Sequence, residues 1–189
     1  MEHNPMRTKD KKEEEMGQHV KDVIKEKEKN EEEAVPSMVI YLPLEDSALS
    51  FNLEKAVCNH GFFMMTPNQW IPSIKTLQRP LYLADSTTSV VVQISHPKKN
   101  DHLHVLVLGT NFLSPQDQKV LLTQIARMLK ISKKDERKMQ KFHEIHSKAK
   151  KKRFGRLFRS PTLFEDMVKT ILLCTGGWAR SLDMSKAFC

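Results

Sequence analysis

The 189-residue chain lacks most features that would place it in a secreted, membrane-spanning or metal-stapled class. Its three cysteines, Cys58, Cys174 and Cys189, form no Cys-x-x-Cys pair and no Cys/His quartet. That spacing offers no zinc site and predicts reduced, intracellular thiols and no metal or cofactor. There is no run of eighteen apolar residues to cross a bilayer, so no membrane partner is expected. The N-terminus has no apolar stretch of the kind that marks a secretory signal. No internal repeat is visible. Residues 1–35 have no aromatic residue and few aliphatic ones. Such a segment cannot bury enough surface to offset its ordering entropy, and a disordered charged tail is expected there.

What the chain does have is positive charge, unevenly placed. The formal net charge is +8. Residues 1–35 hold 8 Lys/Arg against 11 Asp/Glu, so the remaining 154 residues carry +11. A folded portion this basic points to a polyanionic partner, with a basic scaffold protein as the bland alternative.

Beyond Pro36 the pattern predicts an α+β protein. Strands are expected at 37–44, 74–83, 89–95 and 102–109, with turn chemistry between them and Pro80 marking an edge or a break. "SFNLEKAVC" reads as a short helix stopped near Gly61, and "GFFMMTPNQW" as an apolar run ending in a turn, with Met64 and Met65 filling core. After residue 110 the period changes from 2 to 3.6. Ser114-Pro115 starts a helix with Leu121, Ile125, Met128 and Leu129 inward. "SKKD" at 132–135 opens a second helix, with Met139, Phe142 and Ile145 inward. Residues 147–159 read as a basic linker. A third helix from about Pro161 to Cys174 places Leu163, Phe164, Met167 and Ile171 in the core, and "WARSLDMSKAFC" makes a last one. An antiparallel sheet domain is thus expected over 36–112 and a helical domain over 113–189.

Several stretches carry a resemblance: "FNLEKAVCNHGFFMMTPNQW" at 51–70, "LHVLV" at 103–107, "LSPQDQ" at 113–118 and, above all, "FGRLFRSPTLFEDMVKTILLC" at 154–174. Over residues 37–189 the chain resembles the helix-hairpin-helix DNA glycosylases of base-excision repair. It is most similar to the plant branch described as 8-oxoguanine or 3-methyladenine glycosylase-like. The resemblance implies a sheet domain like one half of the TATA-binding protein, followed by the first helices of a glycosylase domain. It implies removal of damaged purines from double-stranded DNA by flipping the base out of the stack. In the family, the helix-hairpin-helix and the catalytic Asp lie downstream of the positions matched here. The resemblance therefore assigns no catalytic residue and implies a chain inactive by itself. The alternative is a non-catalytic DNA- or protein-binding product.

The resemblance also implies a DNA-contacting set. Arg153, Arg156 and Arg159 would meet phosphates, as would Lys148 and Lys150–Lys152. The turn Thr175-Gly176-Gly177-Trp178 stands where relatives enter the duplex, although two glycines have no side chain to do so. Arg180 matches an arginine that reaches toward the base opposite the lesion. "KKKR" at 150–153 reads as a nuclear import signal, which places the protein in the nucleus. Asp166 and Glu165 are read as complementing a helix dipole rather than as catalytic. His143 and His146 form a surface pair too sparse for a metal. Trp70 reads as edge packing. The apolar stripe of the 161–174 helix would make the helical part loose or prone to self-association.

Overall fold

The computed structural model describes residues 35–48, 51–97, 100–174 and 176–188. The expected tail (apart from Val35), Thr175 and Cys189 lie outside the described residues. Residues 36–189 make one compact unit.

Five strands form one antiparallel sheet: β1 (Ser37–Pro43), β2 (Gln69–Ile71), β3 (Thr76–Tyr82), β4 (Ser89–Ser95) and β5 (His102–Leu108), in the order β1-β5-β4-β3-β2. The period-2 pattern puts Ile40, Leu42, Leu77, Leu81, Val92, Ile94, Leu103, Val105 and Val107 on one buried face. The other face is open. On it Gln78 Nε2 donates to Gln69 Oε1 (3.2 Å) and Gln93 Nε2 to Gln78 Oε1 (2.7 Å), a row crossing β2, β3 and β4. Pro80 sits inside β3, but β2 reaches only residues 76–78, so β3 has a neighbour on one side alone at Pro80.

Two helices cover the buried face. The first, α1 (Leu53–Val57), is capped by Asn52, whose side chain accepts from the Lys55 N–H at 2.9 Å. Gly61 does not end it. The Asn59 side chain donates to the Ala56 carbonyl at 2.8 Å, and Gly61 instead begins a 3-10 turn, Gly61–Met64. The second, α2 (Pro115–Leu129), has Ser114 as N-cap and a proline at its start, as the sequence indicates. Leu121, Ile125, Met128 and Leu129 are fully buried in the same cluster as the strand residues. α2 therefore belongs to the core of the sheet, and the division expected at 112/113 does not appear.

Four helices complete the described chain. α3 (Lys133–Ile145) follows a Ser132 cap, α4 (Ser147–Lys152) is short, and α5 (Leu163–Cys174) and α6 (Trp178–Phe188) close the fold. Within α3, Met139 is buried and Phe142 half-buried, but Ile145 lies at the helix end and is exposed. Met65 is buried, whereas Met64 is half-exposed. Trp70 packs at the sheet edge against the core, as expected.

The stretch expected to be a basic linker is structured throughout. After α4, Arg153 turns the chain with a left-handed φ of 52°, and residues 153–160 run across the fold. Phe158 is buried with its amide toward Asn59 Oδ1, and His60 Nε2 donates to its carbonyl at 2.7 Å. Gly155 has a φ of +142°, and a Cβ there would lie 2.7 Å from the Met139 sulfur. Only glycine fits that corner comfortably.

α5 is turned against expectation. Leu163, Phe164, Met167 and Ile171 are exposed rather than core. The residues facing in are Glu165, Asp166 and Lys169, the last of them buried, with half-buried Val168, Leu172 and Leu173 beside them. The reason is electrostatic. Arg79, on the buried parity of β3, makes a two-pronged ion pair with Glu165 (Nη1–Oε1 3.3 Å, Nη2–Oε2 2.9 Å). Lys169 Nζ adds a 2.7 Å contact to the same carboxylate. Arg127 binds Asp166 at 2.9 Å, and the other oxygen of Asp166 accepts from the Ser160 N–H at 2.8 Å. A buried arginine without its carboxylate costs more than an exposed apolar stripe, so the charges choose the face.

Candidate nucleic-acid interface

The basic surface is built on α3 and α4. At 3.6 residues per turn, positions 133, 134, 137, 138 and 141 share the side of α3 opposite Glu136 and Met139. Lys133, Lys134, Arg137, Lys138 and Lys141 are all exposed there. Lys133–Arg137, Arg137–Lys141 and Lys134–Lys138 are like-charge pairs four residues apart. Each costs a few tenths of a kcal/mol, so α3 carries on the order of 1 kcal/mol of self-repulsion on this face. α4 continues the charge with exposed Lys148, Lys150, Lys151 and Lys152, and Lys55 donates to the Lys152 carbonyl at 2.8 Å, joining α1 to the end of α4. Of the acids nearby, Asp135 is held by Ser132 Oγ (2.6 Å) and Lys130 (3.6 Å) and Glu136 is buried, while Glu144 is exposed near the end of α3 and Glu45 and Asp46 share a cleft with Lys133. Burial works to raise the Asp135 pKa, but the Ser132 hydroxyl and the surrounding lysines prevail and hold it below the usual carboxylate range.

The residues singled out from the sequence divide on this structure. Arg153 and Arg159 are exposed beside the basic surface; the Arg159 backbone is anchored by its N–H to the Met128 carbonyl at 3.0 Å. Arg156 is not on the surface. Residues 156, 158 and 160 point inward from an extended segment and 157 and 159 outward, so the middle arginine of the three is buried. Its guanidinium binds Glu136, the Lys130 carbonyl at the end of α2 (2.6 Å) and Ser47 Oγ (3.1 Å). It also lies over the Phe51 ring at 5.6 Å. Arg156 therefore leaves the phosphate-contacting set: it is a cap and a buried counter-ion.

The 175–180 turn is distributed differently again. Gly176 and Gly177 are exposed, and a Cβ at Gly177 would meet nothing within 4 Å. Trp178 is both exposed and anchored: it is 41% exposed, and one edge of its ring lies against Gly61, where a Cβ would clash with it. With the Thr66 N–H donating to Ser185 Oγ at 3.3 Å, this contact docks α6 on the loop before β2. Arg180 is exposed, with its stem over Gly176. His143 donates through Nε2 to the Phe154 carbonyl at 2.7 Å, so it braces the crossing segment. Among the described residues no group of three His, Cys, Asp or Glu could hold a metal ion.

Two features were missed in the sequence but leave a trace in it. Arg79 shares parity with Leu77 and Leu81, and an arginine on a core parity demands a carboxylate. The α3 lysines recur at a helical spacing that was read only for its apolar positions. A cavity of about 360 Å³ lies between β3 and α5, lined in part by Arg79, Tyr82, Glu165 and Phe164. Its arginine is already bound to Asn68, to Glu165 and to the Pro80 carbonyl, so the polar groups there hold the fold. No helix among the described residues is long and apolar enough to cross a membrane. No protein-family model matches the chain, and no curated protein or solved structure matches it either.

Proposed function

We propose that this chain binds double-stranded DNA as a glycosylase-like base-excision repair protein, gripping the phosphate backbone without reading its sequence. The observation that carries this reading is the outward face of α3, where five cations are held close together against their own repulsion. A polyanion relieves that repulsion and releases counterions in doing so. The exposed Lys148, Lys150–Lys152, Arg153 and Arg159 extend the same surface. The likeness of residues 37–189 to the N-terminal part of a base-excision glycosylase supports DNA over other polyanions, and the antiparallel sheet covered on one face is compatible with a domain like half of the TATA-binding protein. Lys150–Lys152 with Arg153 would direct the protein to the nucleus. Turnover is not expected, because the resemblance matches no carboxylate of this chain to the family's catalytic Asp; Glu136, Glu165 and Asp166 are each bound to an arginine.

The test is fluorescence anisotropy with a short labelled duplex across a salt series. Log affinity should fall linearly with log salt, with a slope of about −0.9 per phosphate contacted. Replacing Lys134, Lys138 and Lys141 by Ala should flatten the slope by roughly 2–3. An unchanged slope, or no binding even at low salt, would overturn the proposal. A base-release assay on duplexes with one 8-oxoguanine or alkylated purine should show no product.

A further inference from the structure

We propose that the outward face of α5 is self-complementary and receives the same helix of a second copy of this chain, the two helices running antiparallel about a point near residue 169. The proposal is independent of the nucleic-acid reading and starts from the reversed polarity of α5. Its charged residues, Glu165, Asp166 and Lys169, all point inward, where Arg79 and Arg127 meet the two acids. Rolling the helix to hide its apolar stripe would break those pairs inside the protein, so the stripe is fixed outward.

That face is Leu163, Phe164, Met167, Thr170, Ile171 and Cys174, exposed and without a charge among them. Leu163, Phe164, Met167 and Ile171 are 64, 68, 56 and 59% exposed. At roughly 200 Å² for a large side chain, they present on the order of 500 Å² of apolar surface, toward the upper end for a lone monomer. Leu157, half-exposed, borders the same groove, bringing the total to about 600 Å² of the roughly 800 Å² that each partner contributes to a stable interface.

Size decides the occupant. The N-terminal end of the face is bulky (Leu163, Phe164) and the C-terminal end small (Cys174, then Gly176 and Gly177). An antiparallel copy sets bulk against a smaller side chain at both ends: Phe164 over Cys174, Met167 over Ile171, and Leu163 toward the glycine turn, where Gly177 is open and the Arg180 stem lies over Gly176. This is the isologous arrangement of a two-fold dimer, in which each contact occurs twice. The stripe itself carries no charge, so two strongly basic chains meet there over apolar side chains, with Arg159 at the edge of the groove and Arg180 beside the glycine turn as the bordering cations. A membrane surface fits less well, because an interfacial helix carries lysines or arginines on its polar face, whereas the single lysine of α5 is buried in an ion pair.

The test uses the full chain in sedimentation and light scattering at about 100 µM. The expected mass is twice 21.9 kDa. Met167→Glu, at an exposed position, should give the monomer with an unchanged circular dichroism spectrum; Thr170→Lys serves if that variant precipitates. The register is tested in a Cys58→Ser/Cys189→Ser background. Phe164→Cys should cross-link to Cys174 of the second copy with a short bis-maleimide. Without Phe164→Cys, the two Cys174 thiols lie about 15 Å apart along the helix axes and should not link. A monomer at this concentration overturns the proposal, whether or not it binds lipid vesicles. So does a dimer that survives Met167→Glu, or one that links through Cys174 alone.

Discussion

Replacing Arg156 separates two accounts of the arginine-rich segment. If Arg156 contacts phosphate, Arg156→Met weakens DNA binding and leaves stability almost untouched. If it is the buried counter-ion of Glu136, the same change strands a carboxylate at a side-chain exposure of 9%. It also removes the donors to the Lys130 carbonyl and Ser47 Oγ. Breaking a buried pair from one side costs about 3–5 kcal/mol. A domain is stable by only about 5–15 kcal/mol, so the loss is a large share of the whole. With a urea slope of about 2 kcal/mol/M, the midpoint should fall by roughly 2 M. Removing both charges, in Arg156→Met/Glu136→Leu, should recover most of the loss, because no buried charge is left unpaired; a residual of about 1 kcal/mol remains for the Lys130 carbonyl. The assay is urea unfolding followed by circular dichroism on the wild type, both single variants and the double, closed as a cycle. DNA affinity is measured at a temperature where each variant is folded, and its salt slope should not change. A loss below 1 kcal/mol together with a flatter salt slope would refute the buried assignment.

Three further outcomes follow from the same structure. Burial works to raise the pKa of Glu165, but Arg79 and Lys169 prevail and hold it below the usual glutamate range. Its ion-paired stabilisation is therefore complete above the unfolded value of about 4.3 and is lost as pH falls below it. Stability between pH 5 and 3 should drop less steeply in Glu165→Gln, and parallel pH curves would contradict this. Gly155→Ala should destabilise by about 1–3 kcal/mol, from strain at a positive φ and the clash with Met139, and a neutral effect in thermal unfolding would count against the fixed corner. Amide hydrogen exchange should be slow in β4 and β5 and faster over 161–188, where the outer side of α5 is uncovered; equal, slow exchange at a dilution that keeps the chain monomeric would show that stripe to be protected.

How much of this was legible in the sequence depends on which force placed each element. Strands and helix caps were legible because they rest on local rules: alternation in "SVVVQIS", Ser114 before Pro115, Ser132 three residues before Asp135. The face of α5 was not, because the apolar stripe alone says inward. The decisive partner, Arg79, is 86 residues away from Glu165 in sequence. The segment 153–160 was hidden for a related reason: its charge suggested solvent, while its alternation of Arg156, Phe158 and Ser160 with Leu157 and Arg159 is that of an extended strap. The basic side of the protein was legible as a net charge. Its location on α3 required knowing that Glu136 and Met139 are the residues turned in.

The glutamine row on the open sheet face has a consequence for assembly of the sheet. β2 pairs with β3 over only three residues, too few for its backbone bonds alone to define an alignment securely. A slip of one position would turn Gln69 toward the core and bring Trp70 to the outside. The amide chain from Gln69 through Gln78 to Gln93 penalises that slip at two places at once, since Gln78 both gives and receives. Gln78 is thus a proofreading residue for the weakest strand: without it, β2 has company on its flank but no instruction about where to stop.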